Sequence, residues 1–197
     1  MIHLFNQFQR YRFSSKKYFN KYITNTYRLI YYKTLGANIM PSSCIPKMTV
    51  NWPHQLEIGK ECTLEDDLNF KYDGIWQEGP NIVIGNNVFI GTQCEFNICK
   101  MIKIGDNTLI ASGCKFIDHN HGYSERNTLY RLQKVDSSPI IISSNVWIGV
   151  NTIILAGVKI GHNAIIGAGS VVTKSIPSNE IWAGTPAKKI KKINLEN

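Results

Sequence analysis

The chain has 197 residues, 43% of them hydrophobic, which is enough for one core and one domain. Its formal net charge is +8, and it holds no apolar run near the length of a membrane span or of a signal-peptide core. Five cysteines without paired spacing argue against a disulfide scaffold and point to reduced thiols and the cytosol.

Residues 1–38 carry most of the charge imbalance. The first acid is Glu57, and before it stand Arg10, Arg12, Lys16, Lys17, Lys21, Arg28, Lys33 and Lys47. The same stretch is rich in Tyr and Phe. It is expected to be a helical cap whose aromatics cover the end of a core. Aromatics and cations together also suit a helix lying on an anionic membrane face. No nucleic-acid partner is expected, because no recognisable module accompanies the basic stretch.

From residue 39 to residue 176, large apolar residues recur at every sixth position. Ile58, Leu64 and Phe70 make a first set, interrupted by an insertion at about Lys71 to Asn81. Ile84, Ile90 and Phe96 make the next, and Ile104, Ile110 and Phe116 the one after. Ile142, Ile148, Ile154, Ile160, Ile166 and Val172 then run without a break. A helix repeats at 3.6 residues and a strand at 2, so period six marks a solenoid of short strands and corners. Four residues after each aliphatic of the last run sit Val146, Thr152, Val158, Ala164, Ser170 and Ile176, all small or β-branched. Residues i and i+4 of a strand share a face, so both sets can point into one narrow core. Cys62, Cys94 and Cys114 fall at this second inward position and are expected to be buried small hydrophobes. Gly149, Gly161 and Gly167 directly follow their aliphatics, where a corner tolerant of positive φ is expected. Three hexads close one triangular coil, giving about five coils.

One segment breaks the frame. Between Phe116 and Ile142 lie 25 residues, where a coil needs about five. The excess, residues 118–141, is predicted to leave the prism as a loop, and long loops in compact domains are usually functional. At its root stands Asp118-His119-Asn120-His121. Residues 177–197 form the tail that follows the last coil.

The chain resembles the hexapeptide-repeat acyltransferases, above all the galactoside, maltose and nodulation-factor O-acetyltransferases and the enzymes that decorate surface polysaccharides. The resemblance runs from about Ile82 to Ile193. It rests on the Phe96-Asn97 step, the IKIGDNTLIASGCKF coil, the D-H-x-H loop root, the NVWIGVNTIILAGVKIGHNAIIGAGSVVTKSIP run and the IWAGTPAKKIKKI tail. Frame and resemblance together predict an all-β solenoid. It is a left-handed parallel β-helix of about five coils with an N-terminal helical cap and a protruding loop.

The resemblance implies acetyl transfer from acetyl-CoA to a sugar hydroxyl in surface-polysaccharide synthesis, by direct attack in a ternary complex without a metal. The family's general base falls on His119, with His121 as the rival. A neutral imidazole, titrating near 6.5, can take the proton of a hydroxyl as the new bond forms. Asp118 or a backbone carbonyl can hold the other ring nitrogen. Asn97 matches an acceptor-binding residue, and His121 and Tyr123 stand where the acceptor would enter. Tyr72, Trp76 and Tyr130 can also stack on a sugar, although tyrosines often only pack loops. Trp147, Val150, Ala168, Thr173 and Lys174 match positions lining the CoA channel, and Val150 replaces a serine of some relatives. Lys188 and Lys191 match basic residues near the nucleotide phosphates. The family also implies a homotrimer whose sites lie between neighbours; a cytoplasmic location is expected from the reduced cysteines, with contact at the inner face of the membrane on the second reading of residues 1–38.

Other readings stay open at this point. The first is N-acetylation of an amino sugar or amino acid. A γ-type carbonic anhydrase needs three zinc-binding histidines, of which His119 and His121 would be two; His54 and His162 are poorly spaced for the third. A non-catalytic scaffold is the remaining alternative.

Overall fold

The computed structural model describes residues 9–15 and 23–194. Residues 9–15 are helical, and α1 spans Asn25–Thr34. An incomplete turn follows, made of β1 (Asn38–Ile39), a bridge at Cys44 and β2 (Thr49–Val50). Five complete coils of three strands come next. They are β3 (Leu56–Ile58), β4 (Thr63–Leu64) and β5 (Asn69–Tyr72), then β6 (Ile82–Ile84), β7 (Phe89–Ile90) and β8 (Glu95–Ile98). The third is β9 (Ile102–Ile104), β10 (Leu109–Ile110) and β11 (Lys115–Ile117). A ribbon of β12 (His119–Asn120) and β13 (Asp136–Ser137) leaves the prism here. The last two coils are β14 (Ile140–Ile142), β15 (Trp147–Ile148) and β16 (Ile153–Leu155), then β17 (Lys159–Ile160), β18 (Ile165–Ile166) and β19 (Val171–Val172). A hairpin of β20 (Glu180–Gly184) and β21 (Ala187–Lys192) closes the stack.

The strands assemble into three parallel faces of a left-handed β-helix. The first face orders β1-β3-β6-β9-β14-β17, and the second β4-β7-β10-β15-β18-β20-β21. The third orders β2-β5-β8-β11-β16-β19. The hexad residues point inward as expected: Ile58, Ile84, Ile104, Ile142 and Ile160 line the first face, each 1% exposed or less. Phe70, Phe96 and Phe116 stack on the third, with ring centroids 4.7 and 4.6 Å apart. Cys62, Cys94 and Cys114 are buried free thiols. Phe96 is sandwiched on both sides, so Phe96→Ala is expected to cost about 3–5 kcal/mol, read as a lowered midpoint in urea.

The corners show how six residues turn. At the first-to-second edge, Asn87, Asn107, Asn145, Asn163 and Asn179 all take φ between 54° and 60°. Asparagine tolerates this left-handed region, and here its side chain gains a partner on the next rung. Asn87 donates to Asn107 Oδ1 at 2.8 Å, Asn145 donates to Asn163, and Asn163 donates to Asn179 at 3.0 Å. Gly149, Gly161 and Gly167 do not take positive φ, contrary to the sequence reading. They are required by stacking instead. A Cβ on Gly149 would meet the Ala168 nitrogen at 2.6 Å, and one on Gly161 the Ser178 nitrogen at 2.4 Å.

Both ends of the stack are covered. Helix α1 buries Leu29 and Tyr32 against the first turn. Its side chains also satisfy backbone groups that have no neighbouring strand. Tyr32 Oη donates to the Met48 carbonyl at 2.7 Å and accepts from its N–H at 3.1 Å. Asn25 donates to Ser43 O and accepts from Ile45 N. An open sheet edge is thus capped by side chains rather than by another strand. The outer aromatics Tyr11, Phe13 and Tyr27 are exposed. Phe5, Phe8, Lys16, Lys17, Tyr18, Phe19, Lys21 and Tyr22 lie outside the described residues. Among those described, no helix is long and apolar enough to cross a membrane.

Candidate active site at the third-to-first edge

Strand β11 ends at Ile117, and the next residue, Asp118, is fully buried. Its carboxylate accepts three backbone N–H bonds from the corner between β8 and β9: Cys99 at 2.7 Å, Lys100 at 2.7 Å and Met101 at 2.8 Å. Its own backbone is tied to Asn97 O and to Ser138 N. Three bonds to the carboxylate and two to the backbone therefore fix this residue. Beside it, His119 Nδ1 lies 3.2 Å from Asp118 Oδ1. An ionised carboxylate only accepts, so Nδ1 carries the proton and donates, leaving Nε2 as the basic nitrogen.

The His119 side chain is 14% exposed, and its Nε2 faces Asp73 Oδ2 at 3.9 Å. Asp73 stands at the start of the insertion after β5 and accepts from Lys71 Nζ at 2.9 Å. The sequence reading passed over both residues. The signal was present: Asp73 opens an insertion at the same edge from which the 118–141 loop leaves. His121 and Tyr123 are exposed, and His121 makes no hydrogen bond among the described residues. The rival histidine thus lacks an orienting partner. Asn97 is on the edge as well, and its Oδ1 is shielded from solvent without a hydrogen-bond partner. An orphaned buried acceptor typically costs about 1–3 kcal/mol, so this atom awaits a donor.

Cys99 Sγ completes a group with Asp118 and His119 whose ligand atoms lie within 4.8 Å of one another. Their chemistry does not suit a metal. Both Asp118 oxygens are already taken by N–H groups. Burial, then the charges of Asp118 and Asp73, push the Cys99 thiol up to about 11, so it stays protonated at neutral pH. The same protonation makes Cys99 a poor nucleophile. Among the described residues the histidines are not gathered as an anhydrase would need. His54 is bonded to Gln77 O and His162 lies at the first-to-second edge.

The residues matched to a CoA channel occupy other parts of the prism. Trp147 is half exposed on the second face, where it pairs with Leu109 and Ile165. Val150 and Ala168 are exposed at the second-to-third edge. Lys188 and Lys191 are exposed on β21, opposite Ala183 and Ile181. Thr173 and Lys174 follow β19 and share the His119 edge, two rungs further along. One chain therefore separates the oriented imidazole from most of these positions.

A stacked prism of hexads with three parallel faces defines a left-handed β-helix protein. The chain belongs to the hexapeptide-repeat family. Residues 139–174 match the bacterial transferase hexapeptide (six repeats), and residues 81–114 match the hexapeptide repeat of succinyl-transferase. The galactoside O-acetyltransferase of Escherichia coli is 37% identical over 70% of this chain and 64% of its own length. A protein of the same organism assigned to lipopolysaccharide biosynthesis as an O-acetyl transferase, WbbJ, is 38% identical over 58% of this chain and 62% of its own. The chain thus spans less than two thirds of these relatives. Among solved structures, AntD, an N-acyltransferase from Bacillus cereus in complex with dTDP and 3-hydroxybutyryl-CoA, superposes with a TM-score of 0.70. It is 22% identical, over 82% of this chain and 86% of that one. The hexapeptide-repeat acetyltransferase VCA0836 of Vibrio cholerae, complexed with acetyl-CoA, gives 0.61 at 24% identity, over 89% of this chain and 81% of that one.

Proposed function

We propose that the protein transfers an acetyl group from acetyl-CoA to a sugar hydroxyl, in the synthesis of a surface polysaccharide. The observation that carries the reading is His119, with Nδ1 on a fully buried Asp118 and Nε2 turned toward the mouth of the edge. Nε2 takes the proton of the acceptor hydroxyl as its oxygen attacks the thioester carbonyl. The carbon–sulfur bond then breaks, and the imidazolium returns the proton to the departing CoA thiolate. Asp118 stabilises the imidazolium between these two transfers. No covalent enzyme intermediate is needed, because the thioester is already activated, and Cys99 is held as a thiol.

A second reading has its own support. His119 Nε2 and Asp73 Oδ2 face one gap of 3.9 Å, and both accept protons. A lone hydroxyl has one hydrogen and serves one of them. An amine, or two neighbouring hydroxyls of a sugar, serves both. An acceptor screen with acetyl-CoA and detection of the released thiol, using paired sugars that differ only by amine for hydroxyl, separates the cases. No thiol release with any acceptor overturns both.

We further propose that the working form is a trimer. The separation of His119 from Trp147, Lys188 and Lys191 in one chain supports it. So does the outer apolar row on the second face, where Phe89, Leu109, Trp147 and Ile165 stand in register. Such a row on a charged protein marks a contact surface. Leu109→Lys is expected to give monomers in sedimentation and to lower transfer at least about 10-fold, since each site would lose its neighbour's half. Trimers of undiminished activity would refute it.

A further inference from the structure

Resting on the acetyl-transfer reading, we propose that the third-to-first edge below His119 is a binding strip for an extended, uncharged glycan, with Trp76 as its stacking platform. The acceptor is then a sugar chain of several residues rather than a free monosaccharide.

The strip is a row of side chains on one edge. Trp52 and His54 stand at the corner between β2 and β3, and Trp76 in the insertion between β5 and β6. Cys99 is at the corner between β8 and β9, and His119 follows β11. These corners are stacked rungs, because the strands on either side are paired neighbours. Three rungs at about 4.8 Å separate the His54 corner from His119, a span of roughly 14 Å, and two separate the Trp76 insertion from it.

Trp76 is 67% exposed and its neighbour Ile75 88%. An exposed tryptophan on a slack loop would carry little meaning. This one is held. Its ring stacks on His54 at 5.9 Å and 28°, and His54 meets Trp52 edge-on at 5.6 Å. The loop behind it is anchored by Gln55, which is fully buried. Gln55 Nε2 donates to Gln77 O at 2.7 Å, and its Oε1 accepts from Asn81 Nδ2 at 2.8 Å. Gln77 in turn donates to Tyr72 Oη. A rigid aromatic face binds at low entropic cost, and the C–H face of a pyranose is a surface it fits. Asp73, in the same insertion, and Asn97, on the next strand of that face, offer a carboxylate and an amide to hydroxyls.

The charges disfavour a diphosphate on the Trp76 platform itself. The insertion carries Glu78, and Lys71 is already paired with Asp73. Lys100 stands higher, at the corner next to His119. A diphosphate lying on Trp76 would find no free cation beside it among the described residues of the insertion.

The test uses the full chain and three matched pairs: glucose with maltohexaose, N-acetylglucosamine with chitohexaose, and xylose with xylohexaose. Transfer is followed by CoA release, and binding of each hexasaccharide, without acetyl-CoA, by calorimetry. In at least one pair the hexasaccharide is expected to be preferred in kcat/KM by at least about 10-fold. Trp76→Ala collapses that preference to within about 2-fold, and Trp76→Phe retains most of it. The strip is overturned if no pair shows the preference, if Trp76→Ala leaves it intact, or if that variant changes the oligomeric state instead. Hexasaccharide binding that depends on Trp76 without any CoA release upholds the strip and rejects acetyl transfer. Acetylation of the monosaccharides with no gain from the longer chain does the reverse.

Discussion

His119→Ala is expected to lower acetyl transfer by about 10²–10⁴-fold while leaving the affinity for CoA little changed. The base acts only as the acceptor oxygen attacks, so its loss falls on kcat. On this mechanism CoA is bound before that proton moves, and most of the matched CoA positions lie elsewhere on the prism. The side chain sits at the mouth of the edge, 14% exposed, and donates one hydrogen bond, so the variant should fold and melt nearly as the parent does. Steady-state kinetics with calorimetric binding of CoA checks both halves. Full activity in His119→Ala, with His121→Ala inactive, would transfer the role to His121.

Asp118→Ala should be damaging in two ways at once. The carboxylate accepts from Cys99, Lys100 and Met101 N–H groups in a fully buried corner. Removing it leaves three donors without a partner, at about 1–3 kcal/mol each before relaxation and water entry. A net loss of about 3–5 kcal/mol is expected, hence a fall of roughly 6–20 °C in Tm for a chain of this size. Activity falls as well, because His119 loses the acceptor that fixes its tautomer. Asp118→Asn keeps the shape and one carbonyl oxygen, so it should recover much of the stability and less of the activity. A variant that is active and as stable as the parent would remove Asp118 from both roles.

The sequence made the repeat legible because each hexad writes its inward residue at a fixed interval. Ile58, Ile84 and Ile104 could be aligned before any coordinate was known, as could the stack of Phe70, Phe96 and Phe116. The first incomplete turn was harder to see. Ile39 and Ile45 keep the interval, but Val50 follows after only five residues. The corner glycines were misread because two different pressures favour glycine. Positive φ along the first-to-second edge is carried by asparagine from Asn87 onward, whereas Gly149 and Gly161 answer to the closeness of the next rung. Within the candidate site, His119 and Asp118 were visible at the root of the one long loop. Asp73 and Cys99 were not, because only the stacking of rungs brings residues from three separate corners against one imidazole.

The stacking also sets where the molecule is stiff. In a one-dimensional array each rung leans only on its two neighbours, so opening begins at the ends and travels inward. His119 lies in the middle of the stack, with complete coils on either side. Lys188 and Lys191 lie on β21, the outermost strand of its sheet among the described residues. The proposed base is therefore built into the part of the stack expected to breathe least. The end that would meet a nucleotide is the part that can fray, admit a ligand and close again without disturbing the imidazole.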